Sequence, residues 1–394
     1  MNILQICHKP PYPDTDGGTM ASYSILRGLR ELGHNVSVFA LTTPKHPKKE
    51  VGDPILNNID IHYAHVNTQV RPLKALRGLF EKHSYHISRF YKEEAAAKLK
   101  LFLEKNTFDL IIFESLFTAV YLPLVRTKTN APCIYREHNI ESALWKQREQ
   151  KAPLPASLVL KNFNKKLNRF EFDIVNEFDG IACISKSDAQ TLASKGLTKP
   201  VKYIPFSYTN RAAATENHAP PNPDKIGFIG ALNWEPNIEG LSVFIREVWP
   251  MVHKKHPKLK FHIAGRGKNT KLEKLSSNSI TFEGEVASAP QFMRSCTVLV
   301  VPLYESSGVR VKLIEASALA VPVITTPAGI KGLEMPADGI AVCESAREFA
   351  YQISKMIENP HYAQKRGEKA KKYIAEYLYP AQTAQQLIEF VKGL

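Results

Sequence analysis

Residues 298–316, VLVVPLYESSGVRVKLIEA, hold the reading that decides the fold. The run at 298–303 is apolar throughout, as a strand covered on both faces of a parallel sheet must be. Glu305 to Gly308 break it, and Val311, Leu313, Ile314, Ala318 and Leu319 then supply the packed faces of a helix. Strand, glycine turn and helix, in that order, build a helix N-terminus that attracts anions. In the turn, Gly308 frees backbone, Arg310 brings a bidentate fork and Lys312 a point charge. Glu315, a turn or so later, offers two acceptor oxygens to a diol. Two phosphates and a ribose diol, the parts of a nucleoside diphosphate, match these groups. An amphipathic helix with solvated charges is the competing reading, and it leaves Arg, Lys and Glu crowded at one strand end without a reason.

The same alternation extends in both directions. Apolar runs at 226–232, 260–264, 280–282, 321–325 and 340–342 share the second half with helices. Runs at 2–7, 36–41, 59–66, 110–113, 133–135, 180–184 and 201–205 fill the first. Between the halves, residues 206–224 (FSYTNRAAATENHAPPNPD) are polar and proline-rich with no periodic apolar face, which reads as a linker. The expectation is α/β: two doubly wound, Rossmann-like domains facing a cleft. Domain bounds follow at 1–205, with the linker at 206–224, a second domain at 225–375 and a C-terminal helix at 376–394 packing back toward the first.

Two further places can carry chemistry. Asp16-Gly17-Gly18 opens the first helix, whose buried face is Met20, Tyr23, Ile25, Leu26, Leu29 and Leu32 before Gly33 closes it. Gly17 and Gly18 let a phosphate or sugar approach the backbone, but the spacing is not GxGxxG and indicates no dinucleotide cofactor. Asp14 and Asp16 look like a D-x-D metal pair; in a glycine turn they read as turn and cap residues. The second place is Arg136-Glu137-His138-Asn139 with Glu141, a polar cluster after the 133–135 strand. His138 can exchange a proton or bond a sugar hydroxyl there, with a structural hydrogen bond as the alternative.

The 394 residues carry a formal charge of +14, and two segments account for the excess in the first half. Residues 73–105 hold 8 basic and 4 acidic side chains, and residues 145–169 hold 7 and 1. Both read as helices that either dock on an anionic membrane surface or simply face solvent. No zinc-finger spacing, RNA-binding aromatic signature or basic zipper is present, so nucleic acid is not an expected partner. No run reaches the roughly 18–20 apolar residues of a membrane-spanning helix. The N-terminus has no basic lead or small-residue cleavage site, and so reads as no signal peptide. Five scattered cysteines form neither a disulfide framework nor a ligand cluster. A reducing cytosol is the expected setting.

The stretch Ser306-Ser307-Gly308-Val309-Arg310-Val311-Lys312-Leu313-Ile314-Glu315-Ala316, followed by Pro322-Val323-Ile324-Thr325-Thr326, resembles a G-S-G-T-R-x-K-x-x-E-A…P-V-V-S-T pattern in one branch of glycosyltransferase family 4, enzymes of the GT-B fold. Gly230-Ala231-Leu232-Asn233-Trp234 with Pro236-Asn237, and His8…Pro11-Tyr12-Pro13…Gly17-Gly18, fit the same branch. The resemblance implies a retaining hexosyltransferase with no essential metal and no cofactor beyond its UDP- or GDP-linked sugar. It implies a donor held by the second domain and a glycan or lipid-linked acceptor held by the first, in polysaccharide or glycoconjugate biosynthesis on the cytoplasmic side of a membrane. Glu315 corresponds to the ribose-binding glutamate, Arg310 and Lys312 to stabilisers of the leaving diphosphate, and His138 to the histidine that approaches the donor sugar. Gly17, Gly18, Ser307, Gly308 and Val309 complete the implied nucleotide-sugar contacts. One departure stands out: the family pairs two glutamates eight positions apart, and eight before Glu315 lies Ser307. That leaves the donor sugar open. A nucleotide-sugar epimerase on the same fold and a non-catalytic basic binding protein remain the alternatives.

Overall fold

The computed structural model describes residues 1–13, 16–48, 59–69, 84–208, 220–305 and 308–394. They form two compact units, Met1–Ser207 with Pro380–Leu394, and Tyr208–Tyr379.

The first unit is built on seven parallel strands: β1 (Asn2–Cys7), β2 (Asn35–Thr42), β3 (Asp60–His65), β4 (Leu110–Glu114), β5 (Cys133–Glu137), β6 (Gly180–Cys183) and β7 (Val201–Tyr203). Their order is β3-β2-β1-β4-β5-β6-β7. The chain winds from β1 to one edge, returns to lay β4 beside β1, and winds to the other edge. The crevice between β1 and β4 is therefore a topological switch point, where ligands of such sheets bind. Helices α1 (Gly17–Glu31), α2 (Glu93–Lys105), α3 (Glu141–Lys151) and α4 (Ala156–Val175) cover the faces. Strand alternation sends Leu4, Ile6, Ile111, Phe113 and Tyr135 into one core and Ile3, Cys7, Ile112 and Ile134 into the other.

The second unit holds six parallel strands: β8 (Asn222–Ile229), β9 (Lys260–Ala264), β10 (Ile280–Gly284), β11 (Cys296–Val301), β12 (Val323–Thr325) and β13 (Ala341–Val342). Their order, β10-β9-β8-β11-β12-β13, puts a switch point between β8 and β11. Helix α5 (Val311–Ala318) leaves the end of β11 through the glycine turn. The last helix, α6 (Pro380–Lys392), belongs to the first unit and packs on α1. Gly28 makes that contact possible, since a Cβ there would lie 2.1 Å from the Pro380 carbonyl oxygen.

Three local differences from the sequence reading matter. Strand β5 continues through Glu137, because Arg136 and Glu137 are drawn into the sheet and fully buried rather than left as a polar cluster beyond it. Phe206 and Ser207 are buried, with Ser207 Oγ donating to Ser24 Oγ at 3.0 Å, and β8 already begins at Asn222; residues 209–219 of the 206–224 segment lie outside the described residues. The 70–83 stretch also lies outside them and takes most of the first half of the 73–105 basic segment with it. All five cysteines are buried and free. Among the described residues no helix is long and apolar enough to cross a membrane.

Candidate active site

At the switch point of the second unit, Arg310 stands at the N-cap position of α5 and is nearly buried. Its Nη2 donates to the Gly308 carbonyl at 3.2 Å, and its guanidinium carbon lies 5.1 Å from the centre of the Trp234 ring. Gly308 has φ 68°, a left-handed conformation that glycine adopts without strain. Lys312 Nζ donates to Asn237 Oδ1 at 3.1 Å and lies 4.3 Å from the Phe228 ring centre. Asn237 is itself buried and donates Nδ2 to the Ala231 carbonyl at 2.8 Å, so its amide is fixed with the oxygen toward the lysine. Gly230 clears this space, since a Cβ there would fall 2.5 Å from Lys312 Nζ. Burial, then the neighbouring Arg310 charge, lower the Lys312 ammonium to about 7. An arriving dianion would oppose that depression by favouring the charged lysine. Glu315 Oε1 accepts from the Tyr208 hydroxyl at 3.4 Å. Val309 is half-buried in the turn, and Ser307 lies outside the described residues.

At the switch point of the first unit, the polar centre is a carboxylate. Glu114, the last residue of β4, is fully buried. It accepts from Gln5 Nε2 at 2.7 Å, from Ser22 Oγ at 3.2 Å and from His138 Nε2 at 2.6 Å, with Arg136 Nε at 3.8 Å. Burial pushes its carboxyl up, but the His138 hydrogen bond and charge, the Arg136 charge and the Gln5 hydrogen bond outweigh it, and the net shift is downward. An ionised carboxylate only accepts, so His138 Nε2 carries the proton and Nδ1 is left for another partner. His8, just past β1, places Nδ1 3.3 Å from the Glu114 carbonyl and its ring 6.4 Å from that of His138. Burial, with the Lys9 and His138 charges, holds the His8 imidazole well below its usual range and neutral. Ser115, next after Glu114, has φ 74°, a strained conformation for a side chain with a Cβ.

Gly17 and Gly18 begin α1. Asp16 caps it, accepting from the amides of Gly18 at 2.9 Å and Thr19 at 3.0 Å and from Lys9 Nζ at 2.6 Å. That is the cap role read from the turn; Asp14 lies outside the described residues. Glu137, on the opposite side of β5 from Arg136, is fully buried with the Cys183 thiol beside it. Burial and the nearby Asp188, Glu171 and Glu141 push its carboxyl far up, so it is neutral. Glu171 is occupied as a cap, accepting from the amides of Glu141 at 2.8 Å and Ser142 at 3.0 Å at the start of α3. The five-residue polar cluster is thus divided: Arg136 and His138 join Glu114, and Glu137 and Glu141 do not.

Two family models match the chain, one described as Glycosyltransferase Family 4 over residues 15–206 and one as Glycosyl transferases group 1 over residues 223–359. The chain belongs to these glycosyltransferases. A relative from Klebsiella pneumoniae, an uncharacterized 44.6 kDa protein in the cps region, is 25% identical over 84% of each chain. Among solved structures, sucrose-phosphate synthase from Thermosynechococcus elongatus covers 100% of this chain and 98% of its own at 14% identity and TM-score 0.70. Anabaena HepE, in complex with UDP and glucose, covers 99% of both chains at 14% identity and TM-score 0.67. TarM of S. aureus, in complex with UDP, covers 99% of both at 12% identity and TM-score 0.66. These likenesses establish the GT-B fold.

For a glycosyltransferase of this fold, the residues that sequence reasoning missed are Glu114, Gln5, Trp234 and Asn237. Trp234 and Asn237 stand in a stretch that carried the family resemblance, yet nothing local ties them to Arg310 or Lys312. Glu114 ends an apolar run, where a lone acid reads as a strand terminator. A buried-strand reading extended by one residue is the signal that would have found it.

Proposed function

We propose that this glycosyltransferase moves a hexose from a UDP-linked donor to a glycan or lipid-linked acceptor with retention at the anomeric carbon and without an essential metal, in polysaccharide or glycoconjugate biosynthesis on the cytoplasmic face of a membrane. The observation that carries the donor half is the pairing of Arg310 and Lys312 at the mouth of α5, with Lys312 held near neutrality by burial. Neighbours solved with UDP and with UDP-glucose support the choice of base. In this reading Glu315 takes the ribose diol, and Arg310, Lys312 and the α5 N-terminus take the diphosphate. Gly308 and Val309 line its approach.

The bond from the anomeric carbon to the phosphate oxygen breaks with both electrons going to the diphosphate, whose growing charge the two cations stabilise. The acceptor oxygen forms the new bond on the same face through an oxocarbenium-like state. Its proton passes to the departing phosphate oxygen, so no paired carboxylates of the hydrolase kind are required. In the first unit, Glu114 holds His138 with Nδ1 available to a sugar hydroxyl, and Gly17 is exposed to close approach, while Asp16 takes the Gly18 amide and Lys9 lies against it.

The test is a thermal-shift panel of UDP, GDP, ADP, CDP and TDP on wild type and Glu315→Ala. A nucleotide at a hundred times its dissociation constant stabilises the fold by about 2.7 kcal/mol. UDP is expected to shift the wild type and not the variant. No shift with any nucleotide would remove the transferase reading, and a shift with another base would correct the donor. Product analysis with and without acceptor then separates transfer from epimerisation.

A further inference from the structure

The turn before α4 and the first turn of the helix expose two large apolar side chains: Leu154 is 75% exposed and Leu158 62%. Helix α4 buries Phe163, Asn164, Leu167, Glu171 and Val175 against the first unit. At the helical repeat, Leu158, Lys161, Asn162, Lys165, Arg169 and Phe172 fall together on the opposite side, within a sector of about 100°. All six are exposed. The face is cationic between apolar ends and spans about 21 Å from Leu158 to Phe172. The one acid in 145–169, Glu149, is buried and already bound to Lys146 at 2.8 Å and Asn164 at 3.2 Å, so it does not offset that charge. Asp173 tempers it only at one end, 3.6 Å from Arg169.

Helix α2, in the described part of the other basic segment, is different. It also exposes an apolar residue, Leu101, but Glu93, Glu94 and Glu104 balance Lys98, Lys100 and Lys105, and Glu104 lies 2.7 Å from Lys128. Its charge does not single out an anionic partner.

We propose that the exposed face of α4, with Leu154 in the turn before it, is a docking surface for an anionic lipid bilayer. The helix lies in the headgroup plane, Lys161, Lys165 and Arg169 meet lipid phosphates, and Leu154, Leu158 and Phe172 enter the acyl boundary. The apolar ends select a bilayer over nucleic acid, which would leave them in water. This refines the membrane setting proposed above and is independent of sugar transfer, because binding is read without turnover.

The experiment is co-sedimentation of the full chain with vesicles of phosphatidylcholine alone and of phosphatidylcholine and phosphatidylglycerol in equal parts, across a salt series. Wild type is expected to pellet with the anionic vesicles, less so as salt rises. Lys165→Glu with Arg169→Glu should weaken partitioning by roughly fivefold or more for each position. Leu154→Asp with Leu158→Asp should weaken it comparably while leaving the salt dependence in place. Circular dichroism and UDP-induced thermal shifts on both variants check that the fold persists. Wild-type binding that ignores lipid charge, or that neither pair of substitutions weakens, overturns the proposal. So does competition of vesicles by single-stranded RNA that is unaffected by the leucine changes, which would assign the face to nucleic acid.

Discussion

The two sheets carry opposite electrostatic solutions at the same topological position. At the switch point of the first, a buried carboxylate is answered on several sides, by Gln5, Ser22, His138 and Arg136. At that of the second, two basic side chains share the mouth of one helix, Arg310 donating to the Gly308 carbonyl and Lys312 to the Asn237 amide oxygen. The first gathers its partners around one buried carboxylate. The second sets two basic side chains together, Arg310 against the Trp234 ring and Lys312 against the Phe228 ring. The difference teaches how one winding pattern can hold a buried acid in one crevice and paired basic side chains in the other: the crevice is common, and the side chains at the strand ends decide its chemistry.

The comparison breaks most directly at Glu114. Glu114→Ala leaves Arg136 buried without its counter-charge, which should cost about 3–5 kcal/mol. Urea unfolding of the full chain reads this as an earlier transition for the first unit. Glu114→Gln, which keeps the shape and loses the charge, should fall between. An alanine variant as stable as wild type would mean that Arg136 is answered in some other way.

In the second unit the matching change is Arg310→Ala. It should leave the unfolding transition nearly in place and lower turnover by about 10²–10³, the usual effect of removing one preorganised stabiliser of developing charge. Retained turnover would show that the cations at this switch point are not held for a leaving group.

The smallest effect sharpens the contrast. A diphosphate that binds beside Lys312 raises its protonation, so binding takes up a proton. Affinity for UDP should be greatest below about pH 7 and weaken above it, by up to tenfold for each further unit until the bound lysine itself titrates. Calorimetry in buffers of different ionisation heat reads the proton directly. Lys312→Arg, which stays charged, should flatten the profile. A flat wild-type profile would mean that the lysine is already charged in the free protein.

Much of this was legible in the chain. Each apolar run became a parallel strand, because a strand covered on both faces is apolar at most of its positions and advertises itself in any reading frame. The strand, turn and helix at 298–316 were legible as such, because Gly308, Arg310, Lys312 and Glu315 are near neighbours along one backbone. Asp16 was readable as a cap for the same reason. The basic texture of 145–169 was visible too, but not its facing: only the packing of Phe163 and Leu167 inward shows that Leu158 and Phe172 share the exposed side with Lys165 and Arg169.

What the amino-acid sequence determined by itself was therefore local: strand and helix identity, the order that forces two parallel sheets, and those functional groups held within a few residues of each other. What only the tertiary structure decided was which distant groups meet. Glu114 finds Gln5 at a separation of 109 residues and His138 at 24, and Lys312 finds Asn237 at 75. It also decided that Arg136 and Glu137, adjacent in sequence, live in different surroundings, one ion-paired and one neutral. The physical reason is that parallel strands bring their carboxyl ends to one edge whatever chain lies between them. Burial there then sets each group's charge by its neighbours in space, which no local pattern of residues records.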